Sequence, residues 1–201
     1  MPILEKEPAL YPETLLSGYI NTCQKTIPAD VESVVESDET AQRVWWCVYT
    51  RSRQEKALAR RLYAQQVPFY LPLVPHHHLY RGRKVKSYVP LFGGYMFMFG
   101  DEEERVTALS SNCISRMLPV DDKQQLLHDL LNIHHLIESE APVTLEQRLE
   151  PGRPVRVKSG VMEGTEGVIV ERRGQSRLLV AVNFINQGVS VDVEDFMVEP
   201  L

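Results

Sequence analysis

Histidines are the side chains of this sequence that most readily suggest chemistry, and they fall in two runs. His76-His77-His78 and His134-His135 would have to converge from one face to hold a metal ion. Adjacent residues of a strand point to opposite faces, and neither run has a cysteine or carboxylate partner at the spacing of a zinc site. We interpret both runs as polar surface and predict no metal site and no cofactor.

Catalytic arrangements are also missing from the pattern. An enzyme needs a nucleophile with a base and an orienting partner, paired functional carboxylates, or a glycine loop that holds phosphate. The acidic run Asp101–Glu104 is better explained as the start of a helix, where carboxylates stabilise the positive end of the helix dipole. We therefore predict a binding protein and not an enzyme.

The segment Pro90–Phe99 carries the strongest binding signal. A turn at Gly93-Gly94 precedes Tyr95–Phe99, a run of strand-forming residues. Side chains alternate along a strand, so the aromatic residues share one face and the two methionines share the other. One face can pack on a core, and the other needs a cover from this chain or from a partner. Aromatic residues and methionine are enriched in protein interfaces. A strand buried on both faces is the alternative interpretation.

Charge is distributed unevenly along the chain. The net charge of −5 argues against a general nucleic-acid binder, yet residues 44–100 hold nine basic residues and one acidic residue. Such an asymmetry predicts a local surface that faces a polyanion. A predicted hairpin tip at residues 76–86 contains four of the basic residues, which would attract phosphates: Arg81, Arg83, Lys84 and Lys86.

The pattern of elements predicts an α+β fold. Strands, a helix capped by Ser52 and Glu55 and a helix capped by Asp101 follow one another in the order βαββαβ, which gives an antiparallel sheet with helices on one face. A third helix begins at Asp121 or Asp122. Beyond it, valines alternate with period two and glycines punctuate short strands, which predicts a small five-stranded barrel of SH3-like type.

Four regions follow from these patterns. Residues 1–43 are acidic and rich in proline, and we predict a largely disordered extension with one amphipathic piece that docks, at Leu10, Tyr11, Leu15, Leu16 and Tyr19. Residues 44–138 form the first domain, residues 139–151 a linker, and residues 152–201 the barrel. No apolar run reaches the ~18 residues of a membrane span, and the three cysteines form no disulfide pattern. We expect a soluble, cytoplasmic monomer.

Two segments resemble the NusG family of transcription elongation factors. Residues 44–120 resemble its N-terminal domain through Trp45-Trp46, Arg51–Glu55, Phe69–Pro72 and Pro90–Phe97. Residues 152–198 resemble the KOW domain of that family through the motif that runs from Gly152 to Val168. The two motifs occur in the order that the family has, with a helix and a linker between them.

The resemblance implies a function and a set of contacts. It implies that an aromatic depression made by Phe92, Tyr95 and Phe97 binds the clamp helices of the RNA polymerase β′ subunit. It implies that the hairpin tip lies near upstream DNA and that the helix and loop Val106–Cys113 approach the non-template strand, without an evident sequence-reading motif. It also implies that a loop of the KOW domain recruits a ribosomal protein or the terminator Rho. The matching loop residues are Phe184, Ile185 and Asn186.

Departures from the family pattern point to a specialised, RfaH-like paralogue. Gly93 stands where general members usually have proline, and Phe184-Ile185-Asn186 stands where they have Phe-Gly-Arg. These changes affect the KOW partner above all. A ribosome- or RNA-associated KOW protein, with Lys158, Arg172 and Arg173 on RNA, is the main alternative, and a peptide-binding adaptor of SH3-like type is a further one.

Overall fold

The computed structural model describes residues 8–16, 43–80, 83–146, 152–172, 175–193 and 197–201. These residues form three α-helices and antiparallel sheets, which makes the protein a mixed α and β fold. The chain divides into two compact units, and each is described by itself. The first unit holds residues 1–71 and 93–121, and the second holds residues 72–92 and 122–201.

The first unit is built on a five-stranded antiparallel sheet. Its elements in chain order are β1 (Leu10–Tyr11), β2 (Val44–Thr50), α1 (Glu55–Ala64), β3 (Phe69–Tyr70), β6 (Tyr95–Gly100), α2 (Glu102–Leu109) and β7 (Ile114–Pro119). The strands β4 (Leu73–Tyr80) and β5 (Arg83–Pro90), between β3 and β6, belong to the second unit. The order of strands across the sheet is β1-β3-β6-β2-β7, so β2 pairs with β6 on one side and with β7 on the other.

One face of this sheet packs against helices. Met98 lies opposite Trp46 and Met96 opposite Val48, so the methionines share the face of Trp46 and are fully buried. The Arg105 guanidinium of α2 lies 5.1 Å from the centre of the Trp46 ring, and the Trp46 indole donates a 3.0 Å hydrogen bond to the Gly100 carbonyl. Helix α1 contacts α2, and its apolar stripe is buried. The methionine face is therefore the internal face of the first unit.

The predicted helix caps have different outcomes. Asp101 caps α2 as predicted: its carboxylate accepts from the Glu104 N–H at 2.9 Å, and the Glu104 carboxylate accepts from the Asp101 N–H at 3.0 Å. The prediction that Ser52 caps α1 is wrong. The helix begins at Glu55 after Gln54, which makes no side-chain capping bond. Glu55 instead accepts a hydrogen bond from Gly94 of another segment.

The second unit contains a hairpin, a helix and a six-stranded antiparallel sheet. The hairpin pairs β4 with β5. The strands of the sheet are β8 (Thr144–Glu146), β9 (Arg153–Val157), β10 (Glu166–Arg172), β11 (Gln175–Val182), β12 (Gln187–Asp192) and β13 (Val198–Pro200). Their order across the sheet is β13-β9-β10-β11-β12-β8. Helix α3 spans Lys123–Glu138, begins at an Asp122 cap and contacts β11.

Two ordered pieces lie in segments that we predicted to lack regular structure. Thr144–Glu146, inside the predicted linker, pairs with β12 and forms an edge of the second sheet. Leu10–Tyr11, inside the predicted disordered extension, pairs with β3 and forms an edge of the first. Leu15 and Leu16 are buried, whereas Tyr19 lies outside the described residues.

The two caps yield a prediction about stability. Replacing Asp101 by Ala removes the carboxylate that accepts from the Glu104 N–H, and should lower the free energy of unfolding by about 1 kcal/mol. Ser52→Ala is the matched control and should change it by less than about 0.5 kcal/mol, because Ser52 is exposed and makes no cap. Urea denaturation of both variants measures the difference, and equal losses would contradict the assignment of the caps.

Candidate partner-binding surfaces

The turn that leads into β6 is fixed by three hydrogen bonds. The Gly94 N–H donates to Glu55 Oε1 at 2.8 Å, and the Gly94 carbonyl accepts from the Thr50 N–H at 2.8 Å and from the Thr50 hydroxyl at 3.4 Å. Gly94 has a φ of +83°, and a Cβ there would lie 3.0 Å from Cε2 of Tyr49. The turn therefore needs glycine both for its backbone and for the ring beside it.

The outer face of the first sheet is aromatic. Tyr95, Phe97 and Phe99 of β6 lie opposite Tyr49, Cys47 and Trp45 of β2, in that order. The rings of Tyr49 and Tyr95 are 5.0 Å apart between centroids, and those of Trp45 and Phe99 are 5.4 Å apart. The alternation that the sequence predicted for Tyr95–Phe99 is confirmed, and β2 extends the same pattern across the sheet.

The centre of this face is buried, and its accessible residues lie towards the ends of the strands, where Phe99 is half-buried at one end and the two tyrosines lie at the other. Tyr49 is 44% exposed and Tyr95 is half-buried, whereas Phe97 is fully buried. On β7, Arg116 lies opposite Tyr49 and Leu118 lies opposite Cys47, and both are exposed. We call Tyr49, Tyr95, Arg116 and Leu118 the tyrosine patch. Phe92 belongs to the second unit and is also fully buried.

The predicted aromatic set thus differs from the accessible one. Of the three predicted residues Phe92, Tyr95 and Phe97, only Tyr95 is accessible to solvent. Phe97 lies on the same face as Tyr95 but is fully buried, with Cys47 and Tyr70 as its cross-strand neighbours. Tyr49 was not among the predicted contacts. The signal for it was present, because the alternation of β2 places Tyr49 on the same side as Trp45 and Cys47.

Burial affects the protonation of two groups at the tyrosine patch, the Tyr95 hydroxyl and the Cys47 thiol. Burial raises the pKa of the Tyr95 hydroxyl, and the neighbouring Cys47 and Tyr49 raise it further. Burial also raises the pKa of the Cys47 thiol to about 12. Both groups therefore stay neutral near pH 7, and Arg116 supplies a positive charge beside them. Neutral aromatic surface with an adjacent arginine is typical of protein-binding sites.

Of the four basic residues predicted at the hairpin tip, the structure describes the side chain of Lys86 alone. Lys86 is exposed on β5, lies opposite His77, and has its ammonium 5.5 Å from the centre of the Tyr88 ring. Arg83 and Lys84 are in β5, but their side chains lie outside the described residues, as does Arg81 altogether. Among the residues that are described, no three His, Cys, Asp or Glu side chains form a metal-binding group.

The predicted KOW loop forms a 3-10 turn. Asn183–Ile185 makes the turn, and Asn186 ends it in the left-handed conformation with a φ of 51°. Phe184 is 41% exposed, Asn186 is exposed and Ile185 is half-buried. The three predicted residues therefore lie together on one turn, and Phe184 offers its ring to solvent.

Helix α3 holds this turn through a buried carboxylate. Asp129 Oδ2 accepts from the Asn183 N–H at 2.8 Å and from the Asn183 amide at 3.1 Å, while Oδ1 accepts from Gln125 at 2.8 Å. One turn further along, Asn132 accepts from the Glu166 N–H at 2.9 Å. His128 has its Nε2 3.3 Å from Glu166 Oε2. Asp129 and Asn132 were not predicted from the sequence, because polar residues on a helix are ordinarily expected to face solvent.

A cavity of about 280 Å³ lies beside this network. The polar side chains of α3 line one wall, and β10 and β11 line another, where Gly167 leaves room for the Leu179 carbonyl. A Cβ at Gly167 would lie 2.5 Å from that oxygen. The close approach explains why the KOW-like motif has a glycine at this point of the strand.

The family model of the transcription termination factor NusG matches residues 43–149. The chain belongs to the NusG family, whose members are transcription factors and not enzymes. Members of this family bind RNA polymerase. Among the described residues, no helix is long and apolar enough to span a membrane.

One solved structure similar to this chain is that of NusG from Thermotoga maritima, a structure that concerns domain interaction in that protein. The two chains share 22% sequence identity, and the TM-score is 0.46. The match covers 80% of this chain and 98% of the Thermotoga chain.

The Gly94 turn can be tested directly. Gly94→Ala forces a side chain into a left-handed φ and against the Tyr49 ring, and should cost about 1–2 kcal/mol of unfolding free energy. Gly93→Ala is the matched control, because a Cβ at Gly93 meets nothing within 4 Å. Chemical denaturation measures both, and a Gly94 variant as stable as the Gly93 variant would refute the constraint.

The Asp129 carboxylate predicts a pH effect. Burial raises its pKa above the ordinary value of 3.8, while hydrogen bonds from Asn183 and Gln125 and the nearby His128 oppose the rise. The stability that the protonated carboxyl contributes is complete below pH 3.8 and is lost as the pH rises through the raised pKa. Asp129→Asn cannot ionise, so its stability relative to the wild type should increase as the pH rises above the ordinary carboxyl pKa of 3.8.

Urea denaturation at several pH values from 3.8 upward measures how the stability difference changes with pH, which is independent of any constant offset caused by the substitution. Asp129→Ala is the second variant. It leaves the Asn183 N–H without its acceptor and should cost about 1–3 kcal/mol. A difference between wild type and Asp129→Asn that stays flat, or decreases with pH, would contradict the buried carboxylate.

Proposed function

We propose that this chain is a non-catalytic transcription elongation or antitermination factor that binds RNA polymerase through its first unit. The observation that carries the proposal is that the segment matched by the NusG family model, residues 43–149, contains a pair of tyrosine rings, one exposed and one half-buried, beside an exposed arginine. The proposed target is the pair of clamp helices of the polymerase β′ subunit. The strand and helix order β2-α1-β3-β6-α2-β7 supports a βαββαβ plan for this domain.

The proposed contact residues are those that are accessible to solvent on this face. Tyr95 and Tyr49 would touch the polymerase, with Arg116 and Leu118 at their side. Phe97 would support the surface from beneath, because it is fully buried. Phe92 stays in the proposal as part of the segment that leads into the Gly94 turn. Tyrosine and arginine dominate many protein interfaces, where a central residue contributes about 2 kcal/mol or more.

The C-terminal sheet is proposed to act as a KOW domain that recruits a second factor. Phe184, Ile185 and Asn186 would make that contact, with a ribosomal small-subunit protein or Rho as the candidate partners. The exposed ring of Phe184 supports this role. A partner held on the same chain as the polymerase gains effective concentration without any new contact to the polymerase.

The basic hairpin is proposed to face upstream or non-template DNA. Lys86 is exposed, and Arg81, Arg83 and Lys84 are close to it in sequence. Phosphate contacts of this kind give affinity without sequence specificity. The chain would then be a specialised, RfaH-like member that works in the cytoplasm as a monomer. A ribosome-associated KOW protein is the alternative, and it would use the C-terminal sheet without the tyrosine patch.

Two variants separate these roles. Tyr49→Ala combined with Tyr95→Ala should abolish the recovery of RNA polymerase with the tagged chain, because it removes the exposed ring pair. Phe184→Ala is the matched control, an exposed aromatic residue on the other unit. It should retain polymerase and lose the second partner. Recovery of polymerase, of ribosomal subunits and of Rho is measured by pull-down from a cell extract, and the polymerase result is repeated with purified polymerase. Thermal melting shows that each variant is folded.

Two other outcomes would decide between a polymerase-binding factor and a ribosome-associated protein. A folded double variant that still recovers polymerase would refute the tyrosine patch as the polymerase site. Recovery of ribosomal subunits by the double variant and the wild type alike, with no polymerase in either case, would support the ribosome-associated alternative.

A further inference from the structure

The first sheet is completed by a segment that lies outside the NusG family match. Residues 8–16, which we call the arm, precede the matched residues 43–149 and add β1 to the edge of β3. The register pairs Leu10 with Tyr70 and Tyr11 with Phe69, and the Leu71 N–H donates to the Ala9 carbonyl at 2.6 Å. The arm is thus bound by main-chain pairing, as an added strand.

Side chains of the arm supply the remaining contacts. Tyr11 packs edge-on against Tyr63 of α1, with 5.2 Å between ring centroids. The arm then turns, with a 2.9 Å hydrogen bond from the Leu15 N–H to the Pro12 carbonyl. The turn brings two leucines inward, so that Leu15 is 9% exposed and Leu16 is 1% exposed. Both leucines are therefore removed from solvent, and their burial adds apolar stabilisation to the main-chain pairing of the arm.

These features are those of peptide recognition by strand addition. In that mode, main-chain bonds to a sheet edge give affinity, and pockets for particular side chains give specificity. Here the edge is β3, and the recognised chemistry is an extended Leu-Tyr-Pro segment that turns into a Leu-Leu pair. Hydrogen bonding by Thr50 and Glu55 fixes the Gly94 turn, so that corner of the sheet does not depend on the arm.

We propose that the β3 edge is a peptide-binding site for apolar segments of the pattern Leu-Tyr-Pro-x-x-Leu-Leu, and that the arm is its tethered ligand. Residues 17–42 connect the arm to the rest of the chain, so the arm binds its site in cis. A peptide of the same chemistry on another protein would compete with the arm for this edge. The site is separate from the tyrosine patch, and the inference stands whether or not the chain binds polymerase.

The effective concentration that the tether gives the arm determines how strongly the arm competes with a second peptide. A short tether gives an effective concentration on the order of 1 mM. An arm whose intrinsic dissociation constant is about tenfold below that concentration would occupy its site about nine-tenths of the time. Severing the tether, or disabling the arm, should reveal an affinity that the intact chain conceals by about tenfold.

The experiment uses the full chain in three forms. One is intact, one carries Leu16→Asp, and one has a protease site inserted between Asp38 and Glu39, is cleaved, and is then freed of the cleaved arm by gel filtration. A fluorescein-labelled peptide of residues 8–17 is titrated into each, and binding is followed by fluorescence anisotropy. The control peptide carries Leu15→Asp and Leu16→Asp. Circular dichroism melting establishes that every form is folded.

We expect the peptide to bind the cleaved chain and the Leu16→Asp chain at least about tenfold more tightly than the intact chain, and the control peptide to bind none of them. Equal binding to all three forms would place the peptide elsewhere and overturn the inference. Absence of binding to the folded cleaved and Leu16→Asp chains would also overturn it. Unfolding of the cleaved chain once its arm is removed would show that the arm is an integral strand and not a ligand, with the same consequence.

Discussion

The hydrogen bonds that Gly94 makes with Glu55 and Thr50 are the constraint on which the outer surface of the first unit depends. They join the start of β6 to the end of β2 and to the first residue of α1. With that corner fixed, the register of β2 and β6 follows, and Tyr49 is placed opposite Tyr95. A shift of one residue would move every side chain of β6 to the other face. The methionines would then lie on the face that now carries the rings, and the rings would face the helices.

The same constraint explains why one helix start was predictable and the other was not. At α2, Asp101 and Glu104 are local partners, so the cap depends only on residues within one turn. At α1, the local pattern of Ser52 and Glu55 is equally good. Glu55 is nevertheless used by Gly94, which lies 39 residues away in sequence. A local signal fails where one of its members makes a better bond with a distant segment, and the distant segment cannot be read from the local sequence.

For the candidate surfaces, too, some features were predictable from the sequence and others were not. Alternation along β6 was predictable from residue types alone, because a strand fixes which side chains share a face. The degree of exposure was not, since it depends on neighbouring strands and on the rest of the chain. Phe97 is central on its face and buried, whereas Tyr49 and Tyr95 lie where the strand pair ends. On the second unit, Phe184, Ile185 and Asn186 were predicted as a group and share one turn.

The interaction of Asp129 with that turn shows what a buried charge contributes. Removing a carboxylate from water is costly, and the raised pKa of Asp129 records that cost. An apolar residue at this position would avoid it but could not accept the Asn183 N–H. The carboxylate therefore fixes one orientation of the turn on α3, at a cost in stability. Because Asn183 adjoins Phe184, this orientation also determines how the Phe184 ring is presented. The geometry of the second candidate surface thus depends on a helix residue that was not among those predicted to bind a partner.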